Sequence, residues 1–171
     1  EPVNDSFNIV QSIQVLNMPP TYNNMENSLN KTMYYDGCGN CALGEPNDVF
    51  DYKNYMQGKF KDDQYLHFGG IGYPGANNVT NYKSNFSFPG FSDPTHRSTN
   101  GTDPGFIWDE YSAMNSPGDR RILASVKPVK LLPNTPVKFT LGLITTYDSL
   151  LNSQALIHQN RIENQVLKSW T

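Results

Sequence analysis

The sequence predicts a mainly β fold: an antiparallel, β-sandwich-like domain with long loops, one short internal helix and a C-terminal helix. Three observations carry this. First, the runs Ile122–Leu132 and Val137–Thr145 flank a proline-bracketed turn, Pro133-Asn-Thr-Pro136, and Val137, Phe139, Leu141 and Leu143 share one face. That is the period-2 pattern of a half-buried strand. Second, Phe7, Ile9, Ile13 and Val15 share a face in the same way, interrupted by Gln11 and stopped by Pro19-Pro20. Third, the 171 residues include twenty asparagines, 13 glycines and 12 prolines, with 12% aromatic but only 17% charged residues. Such a composition favours turns and strands over long helices.

Taken in order, the chain reads as an N-terminal strand and loop region (1–46), a central core (47–145) and a C-terminal helix (146–171), all within one domain. The stretch from Thr21 to Glu45 reads as loop. Asn47 is placed to cap a short helix running to about Gln57, with Val49, Tyr52 and Met56 forming a core-facing stripe and Gly58 ending it. Pro128 marks the strand after Ile122 as an edge or bulged strand. Beyond the hairpin, Asp148 caps a helix to about Ser169 whose apolar side carries Leu151, Ala155, Ile162 and Val166, with His158 as a hydrogen-bonded core residue.

Several function classes are disfavoured at this level. A net charge of -3, with no basic cluster beyond Arg120-Arg121, gives no footprint for nucleic acid. No apolar run approaches the ~20 residues of a membrane span. The start at Glu1, without Met or a secretory n-region, reads as a mature or excised segment. Gly70-Ile-Gly-Tyr-Pro-Gly75 spells G-x-G-x-x-G with Asp93 downstream, but a dinucleotide fingerprint needs a helix after the glycines. The next residues, ANNVTNYKSNFSFPGF, have no helical periodicity, so the motif reads as a structural turn.

The two cysteines stand in Asp36-Gly-Cys-Gly-Asn-Cys-Ala42. C-x-x-C serves as a redox pair, half a zinc site or a small disulfide. The turn formers around it disfavour a helix-borne redox pair. Zinc would need two more ligands, and His67, His96 and His158 do not supply H-x3-5-H spacing. A Cys38–Cys41 disulfide pinning a surface loop in an oxidising compartment is the preferred reading.

The acids Asp62, Asp63, Asp93, Asp103, Asp109, Glu110 and Asp119 form no recognised catalytic motif. Asp119 with Arg120 or Arg121 reads as a buried or semi-buried ion pair locking the corner before the hairpin. Asp93 and Asp103, in a loop rich in hard oxygen donors, are candidate calcium ligands without EF-hand spacing. No other cofactor is expected. Tyr73, Tyr82 and Trp108 are candidate sugar-stacking platforms, against the default that aromatics fill the core.

The ordered set Tyr52-Lys-Asn-Tyr-Met-Gln-Gly-Lys-Phe-Lys-Asp62, Gly69-Gly-Ile-Gly-Tyr73, Phe88-Pro-Gly90, Trp108-Asp-Glu110 and Ser116-Pro-Gly-Asp-Arg-Arg121 resembles a segment recurring in large secreted proteins of Bacteroidota that carry type IX secretion sorting domains. The resemblance covers about Asn47 to Thr145. It departs at Phe60, where the family has Trp, and at Asn134-Thr135 in the hairpin turn, and it fades in the first forty residues. The sorting domain itself is not in this chain. The resemblance implies an extracellular or cell-surface module of a longer polypeptide and carries no catalytic residue with it. Two functions are expected from these readings. One is a noncatalytic structural or adhesion module, partnered by the other domains of its parent or by cell-surface proteins; the alternative is a carbohydrate-binding module.

Overall fold

The computed structural model describes residues 29–90, 93–116 and 118–137. They form β1 (Leu29–Asp36), α1 (Val49–Met56), β2 (His67–Gly69), β3 (Val79–Lys83), a 3-10 turn (Arg97–Thr99) and β4 (Arg120–Val126). The architecture is mainly β, as the sequence predicts, with two small antiparallel sheets, β1–β4 and β2–β3. The Phe7–Val15 strand, residues 138–145 of the hairpin and the C-terminal helix with His158 lie outside the described residues.

β1 corrects the reading of Thr21–Glu45 as loop. Its residues Thr32, Met33 and Tyr34 are buried in succession, so the strand is covered on both faces and shows no alternation. On one side it pairs with β4, from Leu29↔Val126 to Asp36↔Arg120, with a register irregularity between Leu29 and Lys31. On the other, Thr32 donates its N–H to Asn85 O (2.9 Å) and accepts at O from Ser87 N (3.1 Å). The first hairpin run is accordingly shorter than Ile122–Leu132: β4 ends at Val126, ahead of Pro128, whose missing N–H cannot continue a ladder. A turn does form at Pro133-Asn134, where Thr135 N donates to Leu132 O (3.2 Å) and Asn134 has φ 60°.

α1 begins one residue later than expected. Asp48 is the cap, accepting from Phe50 N (2.8 Å) and Asp51 N (3.0 Å), and Gly58 turns the chain away at φ 76°. The expected core stripe points outward instead: Val49 is 71%, Tyr52 46% and Met56 47% exposed, whereas Tyr55 is fully buried. In an eight-residue helix one strongly held side chain sets the rotation, and here it is Tyr55. Its ring stacks on Tyr35 (centroids 5.7 Å apart) and its hydroxyl donates to Gly44 O (2.5 Å). Burial pushes the Tyr55 hydroxyl far above the ordinary tyrosine range, so it is a fixed donor. Tyr55→Phe is expected to lower stability by about 1–3 kcal/mol, the cost of a buried carbonyl left without its donor. Urea unfolding would measure it, and an unchanged midpoint would remove Tyr55 as the anchor of α1.

The two sheets contribute to one aromatic core. Met33 and Tyr34 from β1, Phe68 from β2, and Tyr55, Phe60, Leu66, Phe88 and Trp108 from the helix and loops are all buried there. Trp108 sits at its centre, with ring centroids 5.0 Å from Phe88 and 5.1 Å from Phe68. The glycine stretch 70–75 joins β2 to β3 as part of a hairpin, with Gly70, Gly72 and Gly75 all at positive φ. The next element is β3, not a helix, so the geometry of a dinucleotide fingerprint is missing. Among the described residues no helix is long and apolar enough to cross a membrane.

Candidate functional site

Beside the core lies a shallow cleft of about 450 Å³ where the glycine turn, β3 and the Phe106–Ser112 segment meet. Trp108 forms its floor. The indole is 1% exposed and donates Nε1–H to Gly70 O (2.8 Å). This corrects Trp108 as a sugar-stacking platform: the side chain is buried, packed with Phe68 and Phe88, and is not an exposed ring. Tyr73 packs on Phe60 at 5.3 Å and gives its hydroxyl hydrogen to Asp62, while Tyr82 stands 47% exposed on β3. Neither lines the cleft, so the three candidate rings do not form one platform.

The cleft presents a different set. Phe106 is 46% exposed and meets Phe68 in a T-shaped contact (5.3 Å), and Asn78 lies at the tip of the turn before β3 with φ 60°. The Thr80 hydroxyl donates to Phe68 O (2.8 Å), and the Ser112 hydroxyl donates to Asp109 O (3.0 Å). Each hydroxyl also accepts a backbone N–H, Thr80 from Tyr82 N (3.2 Å) and Ser112 from Asp109 N (2.9 Å), so both are engaged in holding the wall. Sequence reading missed Phe106 and Asn78 because each stands in a turn-rich run, Pro104-Gly-Phe and Asn77-Asn-Val, where no periodicity marks a face. An exposed aromatic just after a Pro-Gly pair was the signal available.

The acids singled out in the sequence mostly hold loops. Asp93 is buried, and its carboxylate accepts from Arg97 N (2.8 Å) and Ser98 N (2.7 Å), satisfying the free amides of the 3-10 turn. Asp103 accepts from Gly105 N (2.8 Å), with His96 Nε2 at 3.9 Å. Asp109 accepts from Ser112 N (2.6 Å) and closes its own turn.

The Asp119 pair differs from the expected buried or semi-buried lock. Asp119 reaches Arg121 at 3.2 Å in an exposed position, and Arg121 also contacts Glu45 at 2.5 Å. Solvent screens such pairs heavily. Arg120 instead meets Glu110 at 3.3 Å, with both side chains about three-quarters covered. Adjacent strand residues point to opposite faces, which sends the two arginines to different acids. Burial pushes the Glu110 carboxyl above the usual carboxylate range, and the Arg120 guanidinium partly pulls it back.

Cys38 and Cys41 are within disulfide-bonding distance, with Cα atoms 5.8 Å apart, inside the range a disulfide requires. Asp36 adjoins them. Its Oδ1 accepts from Cys38 N (3.0 Å) and lies 3.7 Å from Cys41 Sγ. Among the described residues, this is the one group of three Asp, Glu, His or Cys side chains whose ligand atoms gather closely, all within 4.8 Å of one another.

Compared with known proteins, the chain matches no family model, no curated protein and no solved structure.

Proposed function

We propose that this chain is a noncatalytic structural or adhesion module of a larger secreted, cell-surface polypeptide of the type IX secretion kind. One observation supports the reading above others: the positions that carry the sequence resemblance are folding positions. Tyr55, Phe60, Phe88 and Trp108 are core residues exposed by 2% or less, and the Gly69–Tyr73 stretch is the turn packed on them. A pattern made of core aromatics and tight turns propagates a scaffold rather than a reaction. The acids Asp93, Asp109 and Glu110 add to this, because each is engaged in capping, closing a turn or pairing with arginine.

The cleft beside Phe106 favours carbohydrate binding as the second reading, since an exposed ring beside an amide and hydroxyls is the usual chemistry of a sugar subsite. Affinity electrophoresis and thermal shift with soluble polysaccharides test it. The structural reading expects no retardation and no change in Tm. Retardation abolished by Phe106→Ala, in a variant that still folds, would establish the carbohydrate reading instead. Turnover on peptide or polysaccharide panels would overturn both.

A further inference from the structure

The loop after β1 holds a group of side chains that the proposed scaffold role does not use. We infer that Asp36, Cys38 and Cys41 form a redox-gated site for a soft or borderline divalent cation such as Zn²⁺ or Cd²⁺: closed as the disulfide, open when the two sulfurs are reduced.

Hydrogen bonds on both sides of the turn hold this loop in place. Asp36 N donates to Leu43 O (3.0 Å), Gly44 N to Cys41 O (3.0 Å) and Lys61 N to Ala42 O (3.2 Å). The Tyr55 hydroxyl fixes Gly44 O, and Lys61 Nζ bridges Gly39 O and Glu45 O at 3.0 Å each. Gly44 lies so close beneath Cys38 that a Cβ there would collide with the Cys38 carbonyl. These tethers anchor both flanks of the Cys38–Cys41 turn through groups other than sulfur. Cutting the S–S bond therefore leaves the sulfurs and the Asp36 carboxylate near one another.

That proximity dictates the chemistry. An external dithiol supplies two electrons to the S–S bond and closes to its own disulfide, and its two protons pass to Cys38 and Cys41. A divalent cation then displaces those two protons, forming two metal–thiolate bonds. Asp36 provides a carboxylate oxygen as the third protein ligand, and water takes the fourth position of a tetrahedral site. Two thiolates select zinc and cadmium over calcium and magnesium. Cysteine and histidine spacing alone left zinc two ligands short; one of them is a carboxylate two residues before Cys38, at the end of β1, and water is the other.

The test uses the full chain, either oxidised or reduced with a dithiol that is then removed by anaerobic desalting, and titrates it with Cd²⁺. Calorimetry reads stoichiometry, and ultraviolet absorbance reads the sulfur-to-cadmium charge-transfer band. The reduced chain is expected to bind one Cd²⁺ with that band and the oxidised chain to show no band. Asp36→Asn should keep the band but weaken affinity at least about tenfold, since even ligand-supporting groups are worth 10–100-fold. The Cys38→Ser/Cys41→Ser double variant should lose the band. Circular dichroism of the reduced chain should stay native. The proposal is overturned by a reduced chain that binds no Cd²⁺ or loses its native spectrum, or by unchanged affinity in Asp36→Asn.

Discussion

Replacing Trp108 with alanine is expected to lower the free energy of unfolding by about 3–5 kcal/mol, the range for removing a large buried aromatic. That is a large share of the roughly 5–15 kcal/mol that holds an ordinary domain together. Trp108 is the junction of the core: Phe68 packs on it from β2, Phe88 from the segment alongside β1, and its indole N–H satisfies Gly70 O in the glycine turn. Trp108→Phe separates the two contributions. It keeps most of the ring packing but leaves the Gly70 carbonyl without its donor, for a smaller loss of about 1–3 kcal/mol. Urea unfolding followed by far-UV circular dichroism measures both variants. An alanine variant within about 1 kcal/mol of the parent, below the large-to-small range, would show that Trp108 is not the centre of the core.

The second large effect is expected at Gly72, where alanine should cost about 2–5 kcal/mol. Gly72 has φ 75°, a left-handed conformation that costs an L-residue about 1–2 kcal/mol. The added Cβ would also lie 2.6 Å from Leu66 Cδ1 and 3.3 Å from the Trp108 ring, an overpacking worth about 1–3 kcal/mol more. Gly75 supplies the control. It too has positive φ, at 82°, but nothing lies within 4 Å of a Cβ built there, so Gly75→Ala should show only the backbone part. Equal losses at the two positions would mean that the turn does not pack against the core as described.

The opposite burial of Tyr55 and the Val49–Tyr52–Met56 stripe shows where local pattern stops being informative. Three apolar residues at helical spacing ordinarily mark the buried face, but α1 is only eight residues long. With so few contacts, a tyrosine that both stacks and donates a hydrogen bond outweighs the stripe. β1 was hidden for a related reason. A strand buried on both faces has no alternation, and Asn30, Lys31 and Thr32 make its first half look like loop.

The Asp119 pair was legible as chemistry but not as geometry. Sequence shows that an acid precedes two arginines; only the alternation of β4 decides that Arg121 takes Asp119 and Glu45 while Arg120 turns to Glu110. The glycine turn was the reverse case, since the absence of helical periodicity after Gly75 already excluded the nucleotide loop.

By itself, then, the sequence determined what local chemistry can determine. The mainly β class comes from composition, the presence and end of the short helix from its terminal glycine, and the turn at Gly70–Gly75 from the residues after it. The tertiary structure alone decided which strand pairs with β4, which face of α1 is buried, that Trp108 is core rather than binding surface, and that Asp36 stands beside both cysteines. These outcomes depend on contacts between residues distant in the chain, such as Trp108 with Gly70 and β1 with β4. Packing energy at such contacts is set by shape and by available hydrogen-bond partners, and neither is written in the spacing of residues along one segment.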